Sequence, residues 1–192
     1  MSTAPPARRR ADAVRNYERV VQAAAAVLAE KGTAACVPEI AARAGVGKGT
    51  VYRCFATKEH LVAAVLADRL RALAARAEEA AAEPDAWQAF AGLLAEFAER
   101  QATDNTWASG LAHDSALPEL REAREAVERA VDHLMARAQA QGRMRSGVDS
   151  RDVRVLFAGA AQVLRADGVH DPAVWRRYAG LVAEALKAPD GR

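Results

Sequence analysis

The sequence predicts an all-α protein, and its composition and the spacing of its apolar residues are the two observations behind this prediction. Of its 192 residues, 51% are hydrophobic but only 5% are aromatic. Alanine, leucine, arginine and glutamate, the strongest helix formers, are abundant, whereas residues that favour strands are few. Apolar residues recur three and four positions apart along most of the chain, which is the spacing of one helix face. We expect about nine helices, three of them in a small N-terminal domain that precedes a larger helical domain.

The N-terminal segment 1–12 is predicted to be a flexible basic arm. The prolines of Pro5–Pro6 disfavour a helix, and no apolar residue would anchor the segment to a core. Its charge comes from three consecutive arginines, Arg8, Arg9 and Arg10. They either form an inert tail or add electrostatic affinity for DNA beside a DNA-binding domain.

The N-terminal domain is predicted to contain one longer and two short helices. The first helix carries an apolar face over Tyr17–Leu28, and Gly32 ends it. The two short helices cover 37–44 and 48–55, with Gly45 between them to permit a tight turn. A pair of short helices joined by a glycine-containing turn is the helix-turn-helix plan, in which the second helix enters the major groove of DNA.

The remaining helices are predicted mainly from their start signals and apolar stripes. Thr57 is a preferred N-cap residue for a long fourth helix, and the fifth carries an apolar stripe over Trp87–Phe97. A break at 103–106 precedes a short sixth helix over 107–113. The start signals of the last three helices are Pro118, Asp149 or Ser150, and Asp171-Pro172, and the chain ends in a tail over 188–192.

Charge is unevenly distributed along the chain although its net value is only +2. Residues 1–60 contain ten Lys and Arg against five Asp and Glu, so the rest of the chain is acidic overall. This asymmetry is typical of a head that binds a polyanion, although a charged solvated surface would show it too. Two cysteines, Cys36 and Cys54, are too few for a disulfide framework, and their spacing does not suggest zinc. Without a signal peptide or an apolar span, we expect a cytoplasmic protein.

The second short helix contains the side chains best suited to contact DNA. Small residues at its leading end, including Gly47 and Gly49, would let it sit deep in the groove, and Lys48 could donate to guanine O6 or N7. Thr50, Tyr52 and Lys58 are better suited to phosphates. Tyr52 and Phe55, the two aromatic residues of this helix, could instead be core residues. For Phe55 we expect a position in the core.

The run EIAARAGVGKGTVYRCFATKEHL, together with the helix that ends at Gly32, resembles the DNA-binding domain of TetR-family regulators. The resemblance covers about a quarter of the chain. It implies that residues 13–60 form a helix-turn-helix domain that contains the short helices predicted above. It implies that Val46, Gly47 and Lys48 lie near the bases of the bound DNA. It also implies that Thr50, Tyr52 and Lys58 contact the DNA phosphates. The chain departs from the family pattern at four positions, which are Cys36, Pro38, Gly47 and Cys54.

The segment PELREAREAVERAVDHLMARAQAQGRMRSGVDSRDVRVLFAGA is similar to the helical bodies of one actinobacterial-type subgroup of this family. The resemblance implies that residues 61–187 form a ligand-binding and dimerisation domain. The residues expected at the dimer interface are Phe157, Ala160, Leu164, Val174, Tyr178 and Leu181. The residues expected at a ligand pocket are Trp87, Phe90, Leu94, Trp107, His113 and Met135. An ordinary intrachain core is the alternative for both sets, and a surface position is the alternative for His113.

The resemblance implies a ligand-responsive transcriptional regulator, a repressor that binds a palindromic double-stranded operator as a homodimer and is released by a small-molecule effector. The sequence contains no catalytic constellation and implies no cofactor and no metal, so we do not expect an enzyme. A nonspecific architectural DNA-binding protein is disfavoured by the acidic C-terminal part. The sequence does not separate a repressor from an activator.

Overall fold

The structure is a computed structural model that describes residues 6–109 and 117–189, with side chains from 12 to 107 and from 117 to 189. This part of the chain is all-helical, which confirms the predicted fold class. Its α-helices are α1 (Pro6–Lys31), α2 (Val37–Ala44), α3 (Lys48–Cys54), α4 (Lys58–Ala81), α5 (Ala86–Thr103), α6 (Pro118–Ala140), α7 (Ser150–Ala166) and α8 (Pro172–Leu186). Two 3-10 helices, Gly32–Ala34 and Asn105–Ser109, complete them.

Two predicted segments differ from the structure. The first helix begins at Pro6, so most of the predicted arm 1–12 is helical, because a proline in the first turn lacks only an N–H group that would be unpaired there anyway. Of the predicted sixth helix over 107–113, residues 107–109 belong to the 3-10 helix Asn105–Ser109, and residues 110–113 lie outside the described residues. Eight α-helices are therefore described rather than about nine helices.

The predicted start signals of the later helices are confirmed. Pro118 is the first residue of α6, and Pro172 is the first residue of α8. The carboxylate of Asp149 accepts hydrogen bonds from the N–H groups of Arg151 and Asp152 at the start of α7. Asp171 caps α8 in the same way through the N–H of Ala173.

The chain divides into two compact units. Unit 1 comprises Met1–Leu66 and Asn105–Leu120, and unit 2 comprises Ala67–Asp104 and Arg121–Arg192. The predicted domains 13–60 and 61–187 therefore differ from the structural units at two places. The division within α4 falls after Leu66, and the segment after α5 returns to unit 1 because its 3-10 helix packs against α1.

Unit 1 is built on α1, which packs against both α2 and α3. Large side chains that are almost fully buried in this unit come from each helix and from the start of α4, and they include Val20, Leu28, Ile40, Val51 and Leu61. They remove apolar surface from water, which is the main stabilising contribution in so small a unit. The two short helices are thereby held on α1 rather than by their own length.

Unit 2 has a hydrophobic core that includes Trp175 and Phe90. Helices α5 and α8 pack extensively against each other, and the core between the helices of this unit includes small residues such as Ala98 on α5 and Ala179 on α8. Among the described residues, no helix combines the length and the apolar character needed to cross a membrane.

Candidate DNA-binding surface

Gly45 forms the turn that joins the two short helices. Its backbone is left-handed, with φ +63° and ψ 37°, a conformation that strongly favours glycine. Its N–H donates to the carbonyl of Ala42 at 3.1 Å, and the N–H of Val46 donates to the carbonyl of Ala41 at 3.0 Å. The turn therefore ends α2 with backbone hydrogen bonds and directs the chain into α3.

Arg19 of α1 holds the end of α2. Its guanidinium donates to the carbonyl of Ala44 at 2.5 Å and to the carbonyl of Gly45 at 3.2 Å. The last carbonyls of a helix have no partner inside the helix, so a cation placed there satisfies them and complements the helix dipole. A side chain at position 45 would also displace this guanidinium from its place, since a Cβ would lie 2.7 Å from it.

Two ion pairs hold the outer side of α2 against the end of α1. Arg43 lies 2.6 Å from the carboxylate of Glu30, and Lys31 pairs with Glu39. The hydrogen bond from Lys31 lowers the pKa of Glu39, and the same bond raises the pKa of Lys31. Exposed pairs of this kind contribute little to stability. Their main effect is to restrain α2 on α1.

Helix α3 has one buried face and one exposed face. Val51 and the neighbouring Phe55 point into unit 1, and the Phe55 ring lies 5.0 Å from that of Tyr17, so the core position predicted for Phe55 is confirmed. Tyr52, in contrast, is 53% exposed, and Lys48 is exposed as well. The polar side chains of α3 are therefore available to a partner without any change in the core.

Two glycines at the leading end of α3 leave open space. Gly47 is the N-cap residue, with extended backbone at φ −75° and ψ 152°, and Gly49 lies in the first turn. A Cβ atom added at either residue would meet no other atom within 4 Å. Neither glycine is required by the packing or the backbone conformation of the protein itself. Val46, before them, is half-buried.

Two predicted phosphate ligands have partners inside the chain. The Oγ1 atom of Thr50 accepts a hydrogen bond of 2.8 Å from Arg53. The Nζ atom of Lys58 donates to the carbonyl of Thr33 at 2.9 Å. Both residues are half-buried. A phosphate would have to share or replace these hydrogen bonds.

The departures from the family pattern are accommodated locally. Cys36 is the N-cap of α2, and its backbone N–H donates to the Glu39 carboxylate at 3.4 Å. Pro38 lies in the first turn of α2, where its missing N–H has no cost. Cys36 is exposed and Cys54 is half-buried, and both thiols are free. The side chains of Arg8, Arg9 and Arg10 lie outside the described residues.

The structure places four of the predicted pocket residues together. Trp87, Phe90, Leu94 and Met135 all lie in the core of unit 2, each at most 6% exposed. Trp107 belongs to unit 1, where it is half-buried in the 3-10 helix Asn105–Ser109. His113 lies outside the described residues. No cluster of His, Cys, Asp or Glu in the described part of the chain could hold a metal ion.

The predicted dimer interface is only partly exposed. Phe157 and Leu164 are each 6% exposed and belong to the core of unit 2, and Val174 packs against that core. Phe157 and Leu164 are therefore core residues within the chain, whereas Val174 is half-buried and its place at an interface stays a prediction. Ala160 is half-buried, and Tyr178 and Leu181 are exposed. The large exposed apolar residues of α7 and α8 are Val155, Leu156, Val163, Tyr178 and Leu181.

Sequence reasoning missed the residues that position the candidate surface. Arg19 acts across 25 residues of sequence, and Asn105 contacts the end of α1 from 76 residues away. No local pattern indicates such contacts. Arg53 could have been found, because it lies one helical turn after Thr50 on a face predicted to be exposed.

Two family models match the chain. Residues 20–65 match the model of bacterial regulatory proteins of the tetR family, and residues 83–188 match the model of the C-terminal domain of SbtR-like transcriptional regulators. The second match covers more than half of the chain. Among curated proteins, none matches the sequence significantly.

Solved structures are similar over nearly the whole chain. A TetR transcriptional regulator from Streptomyces coelicolor is 27% identical, with a TM-score of 0.65 and coverage of 91% of this chain and 99% of that one. A TetR transcription regulatory protein from Mycobacterium vanbaalenii is 30% identical, with a TM-score of 0.59 and coverage of 93% and 99%. The transcriptional regulator FadR from Bacillus subtilis, solved in complex with stearoyl-CoA, is 22% identical, with a TM-score of 0.62 and coverage of 88% and 99%.

Proposed function

The chain belongs to the TetR family of transcriptional regulators, whose members are not enzymes, and from this membership we propose that it is a repressor that binds a palindromic operator as a homodimer and is released by a small-molecule effector. The observation that carries the proposal is the exposed face of α3. This face presents Lys48 and Tyr52 to solvent, while Val51 on the opposite face is buried.

In the proposed complex, α3 enters the major groove with its glycine-rich end leading. Lys48 donates to a guanine edge, and Val46 and Gly47 lie near bases. Tyr52 and Thr50 contact phosphates. Arg53, which already bonds Thr50, adds a cation beside the same hydroxyl and strengthens a phosphate contact there.

Lys58 is proposed to bind a phosphate at the start of α4. Its hydrogen bond to the carbonyl of Thr33 holds the ammonium group in one place beside the first 3-10 helix. A held cation loses less side-chain entropy when a phosphate binds than a freely rotating lysine does. The ammonium has three donors, so it can keep Thr33 and still bind a phosphate oxygen.

The proposed dimer forms through the exposed apolar faces of α7 and α8. Val155 and Val163 on α7 are 62% and 60% exposed, and Leu181 on α8 is 55% exposed. Val155 and Val163 lie eight residues apart, close to one face of the helix, with the small residues Gly159 and Ala160 between them. An isologous contact between two copies would bury both stripes at once and would place two copies of α3 on one duplex.

The proposed effector binds in unit 2. Its binding shifts the populations of two conformational states of the dimer. The DNA-binding state holds its two α3 helices roughly 34–36 Å apart, the distance between successive major grooves. An effector that binds a differently spaced state more tightly lowers operator affinity by the same coupling free energy. Helix α4 is proposed to carry this change, because it begins in unit 1 at Lys58 and continues into unit 2. The site of action is the cytoplasm, where bacterial DNA lies.

Selection of bound duplexes from random DNA tests the proposal. The wild type is expected to recover a palindrome with two half-sites about 10 base pairs apart or a multiple of it. Tyr52→Phe, which removes only the phenolic hydroxyl, is expected to bind the recovered duplex about tenfold more weakly, since it loses a phosphate contact.

Ser146→Ala is the matched control, because it also removes a single exposed hydroxyl group, but from a turn of unit 2 that has no role in the proposed complex. It should bind the recovered duplex as the wild type does. Recovery of no motif by the wild type would refute operator recognition. Equal binding by wild type and Tyr52→Phe would refute the role given to Tyr52.

A further inference from the structure

Unit 2 buries two polar side chains in the part of it that the structure describes, and each lies beside an arginine. Asp104 is 8% exposed and forms an ion pair with Arg69 of α4. Gln101 is 7% exposed, and its side-chain carbonyl accepts a hydrogen bond from the guanidinium of Arg165 on α7. A buried polar or charged group costs free energy unless a partner compensates for it. The two arginines therefore differ in the partner that the chain provides.

Both arginines are partly withdrawn from water, but only one of them has a counter-charge. Burial lowers the pKa of Arg69 and the pKa of Arg165. The carboxylate of Asp104 neutralises Arg69. Among the described residues, no carboxylate pairs with Arg165, and Gln101 offers it only a neutral carbonyl. A partly buried charge without a counter-ion costs free energy that a bound anion would offset.

The ring of Trp175 and the carbonyl of Gln101 fix the orientation of the Arg165 guanidinium. Its central carbon lies 5.2 Å from the centroid of the Trp175 ring, so one face of the planar group is covered. The N–H donors of a guanidinium lie along its edges, and Gln101 accepts from only one of the nitrogen atoms. Because Arg165 is half-buried, a small molecule can reach the remaining donors from solvent.

Gln101 brings further donors to the same place. Its carbonyl oxygen faces the guanidinium, which leaves the N–H groups of its Nε2 atom. In the described part of the chain, no acceptor receives a hydrogen bond from this nitrogen, although the side chain is more than nine-tenths buried. A donor that is buried without an acceptor is costly, and a ligand oxygen would remove that cost. Arg165 and Gln101 thus combine a positive charge with hydrogen-bond donors, the two properties that recognise an anion.

We propose that Arg165 and Gln101 form a binding site for the carboxylate of a small organic acid, and that this acid is the chemical class of the proposed effector. The inference rests on the proposed function, in which the effector binds in unit 2, and Arg165, Gln101 and Trp175 all belong to that unit. The edge of a guanidinium matches the two oxygens of a carboxylate, and one negative charge balances one positive charge. A phosphate dianion would bring an uncompensated charge into a partly buried site.

The surroundings of the site suit an acid with an apolar body. Gln101 lies on the buried face of α5, three residues after Ala98 and seven after Leu94, which are both buried. Residues three and seven positions apart share one face of a helix. Leu94 is also one of the four core residues predicted to line a ligand pocket. An apolar group attached to the carboxylate therefore has apolar side chains beside it.

A titration of the full chain with benzoate, followed by nuclear magnetic resonance in the absence of DNA, tests this site. Benzamide has the same shape without the charge, and benzoate is expected to bind the wild type about tenfold more tightly than benzamide or inorganic phosphate does. Arg165→Gln should lose this preference, whereas Arg165→Lys, which keeps the charge without the planar fork, should retain part of it. Arg143→Gln, at an exposed arginine between α6 and α7, is the matched control and should bind benzoate as the wild type does.

Gln101→Glu supplies the second readout, because it places a carboxylate of the chain itself beside Arg165. This carboxylate should take the place of the ligand, so the variant is expected to bind benzoate about tenfold more weakly and to melt at a higher temperature than the wild type. In the wild type, the side-chain amide signals of Gln101, identified by their loss in this variant, should shift when benzoate is added. Unmoved amide signals, or a lower melting temperature of Gln101→Glu, would overturn the proposal.

Equal binding of benzoate and benzamide to the wild type would also overturn the proposal, as would a preference for benzoate that survives in Arg165→Gln. Tighter binding of inorganic phosphate than of benzoate would overturn the choice of a carboxylate. The titration contains no DNA, so it decides the site even if random DNA yields no operator, a result that would refute the proposed function alone. With an operator recovered, saturating benzoate is expected to weaken its binding severalfold, and unchanged operator affinity would overturn the assignment of the site to the effector.

Discussion

At the scale of single residues, two glycines in and beside the short helices differ in the reason for their presence. The fold itself requires Gly45, whereas only a binding partner would require Gly49. Gly45 needs its left-handed backbone, and a side chain there would meet Arg19. Gly49 has neither constraint, yet it lies inside a helix, where glycine costs up to about 1 kcal/mol relative to alanine. A residue that lowers stability without an internal reason is expected where the backbone must come close to another molecule.

Gly49→Ala should therefore raise stability and lower operator affinity. The free energy of unfolding is expected to rise by up to about 1 kcal/mol, because alanine loses less backbone entropy on folding. Operator affinity is expected to fall about tenfold, because the added methyl group lies on the face that approaches DNA. Chemical denaturation and a binding titration measure the two effects.

Gly92→Ala is the control, since Gly92 is an exposed glycine of α5 with open space around its Cβ position. It should give the gain in stability without the loss of affinity. An operator affinity of Gly49→Ala equal to that of the wild type would contradict the close approach proposed for α3.

At the scale of helices, α7 and α8 each carry two apolar faces, and only one of them is covered within the chain. Phe157 and Leu164 pack into unit 2, while Val163, beside Leu164 in sequence, is 60% exposed. A soluble monomer rarely exposes several large apolar side chains on neighbouring helices, so a second copy is the occupant that the family and the paired stripes favour.

Val163→Glu should dissociate the proposed dimer. A carboxylate on each copy would be brought into the apolar contact, where burial of an unpaired charge is strongly unfavourable. Sedimentation velocity is expected to give a dimer for the wild type and a monomer for the variant. Val14→Glu makes the same change at an exposed valine of α1, outside α7 and α8, and should remain a dimer. A dimeric Val163→Glu would locate the interface elsewhere.

At the scale of the whole molecule, positive charge is concentrated where the DNA-binding surface is proposed. Residues 1–60 have twice as many basic as acidic residues, whereas the complete chain has a net charge of only +2. Helix α1 continues this charge toward the N-terminus, because it begins at Pro6 and so includes positions 8–10.

Replacing the three arginines at 8–10 with alanine should reduce the salt dependence of operator binding. If each contacts one phosphate, the slope of log affinity against log salt becomes shallower by about 2.7. Titrations at several salt concentrations measure it. A triple variant at three exposed arginines of unit 2, namely Arg129, Arg143 and Arg151, should keep the wild-type slope. An unchanged slope in the first variant would mean that the arginines at 8–10 do not contact DNA.

The helical class, the boundaries of most helices and the family follow from the sequence alone. Capping and turn residues such as Gly45, Asp149 and Pro118 act on backbone groups a few residues away, so their effect is visible without the fold. The run from Glu39 to Leu61 is specific for the same reason, because its short helices and turn are encoded locally. The start of α1 was not predicted, because a proline at the first turn and a proline inside a coil look alike in sequence.

Which side chains those helices present, and what they contact, depends on the tertiary structure. Leu164 and Val163 are both apolar and adjacent, and only the rotation of α7 against the core assigns one to the core and the other to solvent. The contacts of Arg19 with the end of α2 and of Asn105 with the end of α1 join residues far apart in sequence. Helical periodicity describes one helix at a time, whereas these contacts depend on how several helices pack, and that packing is a property of the complete fold.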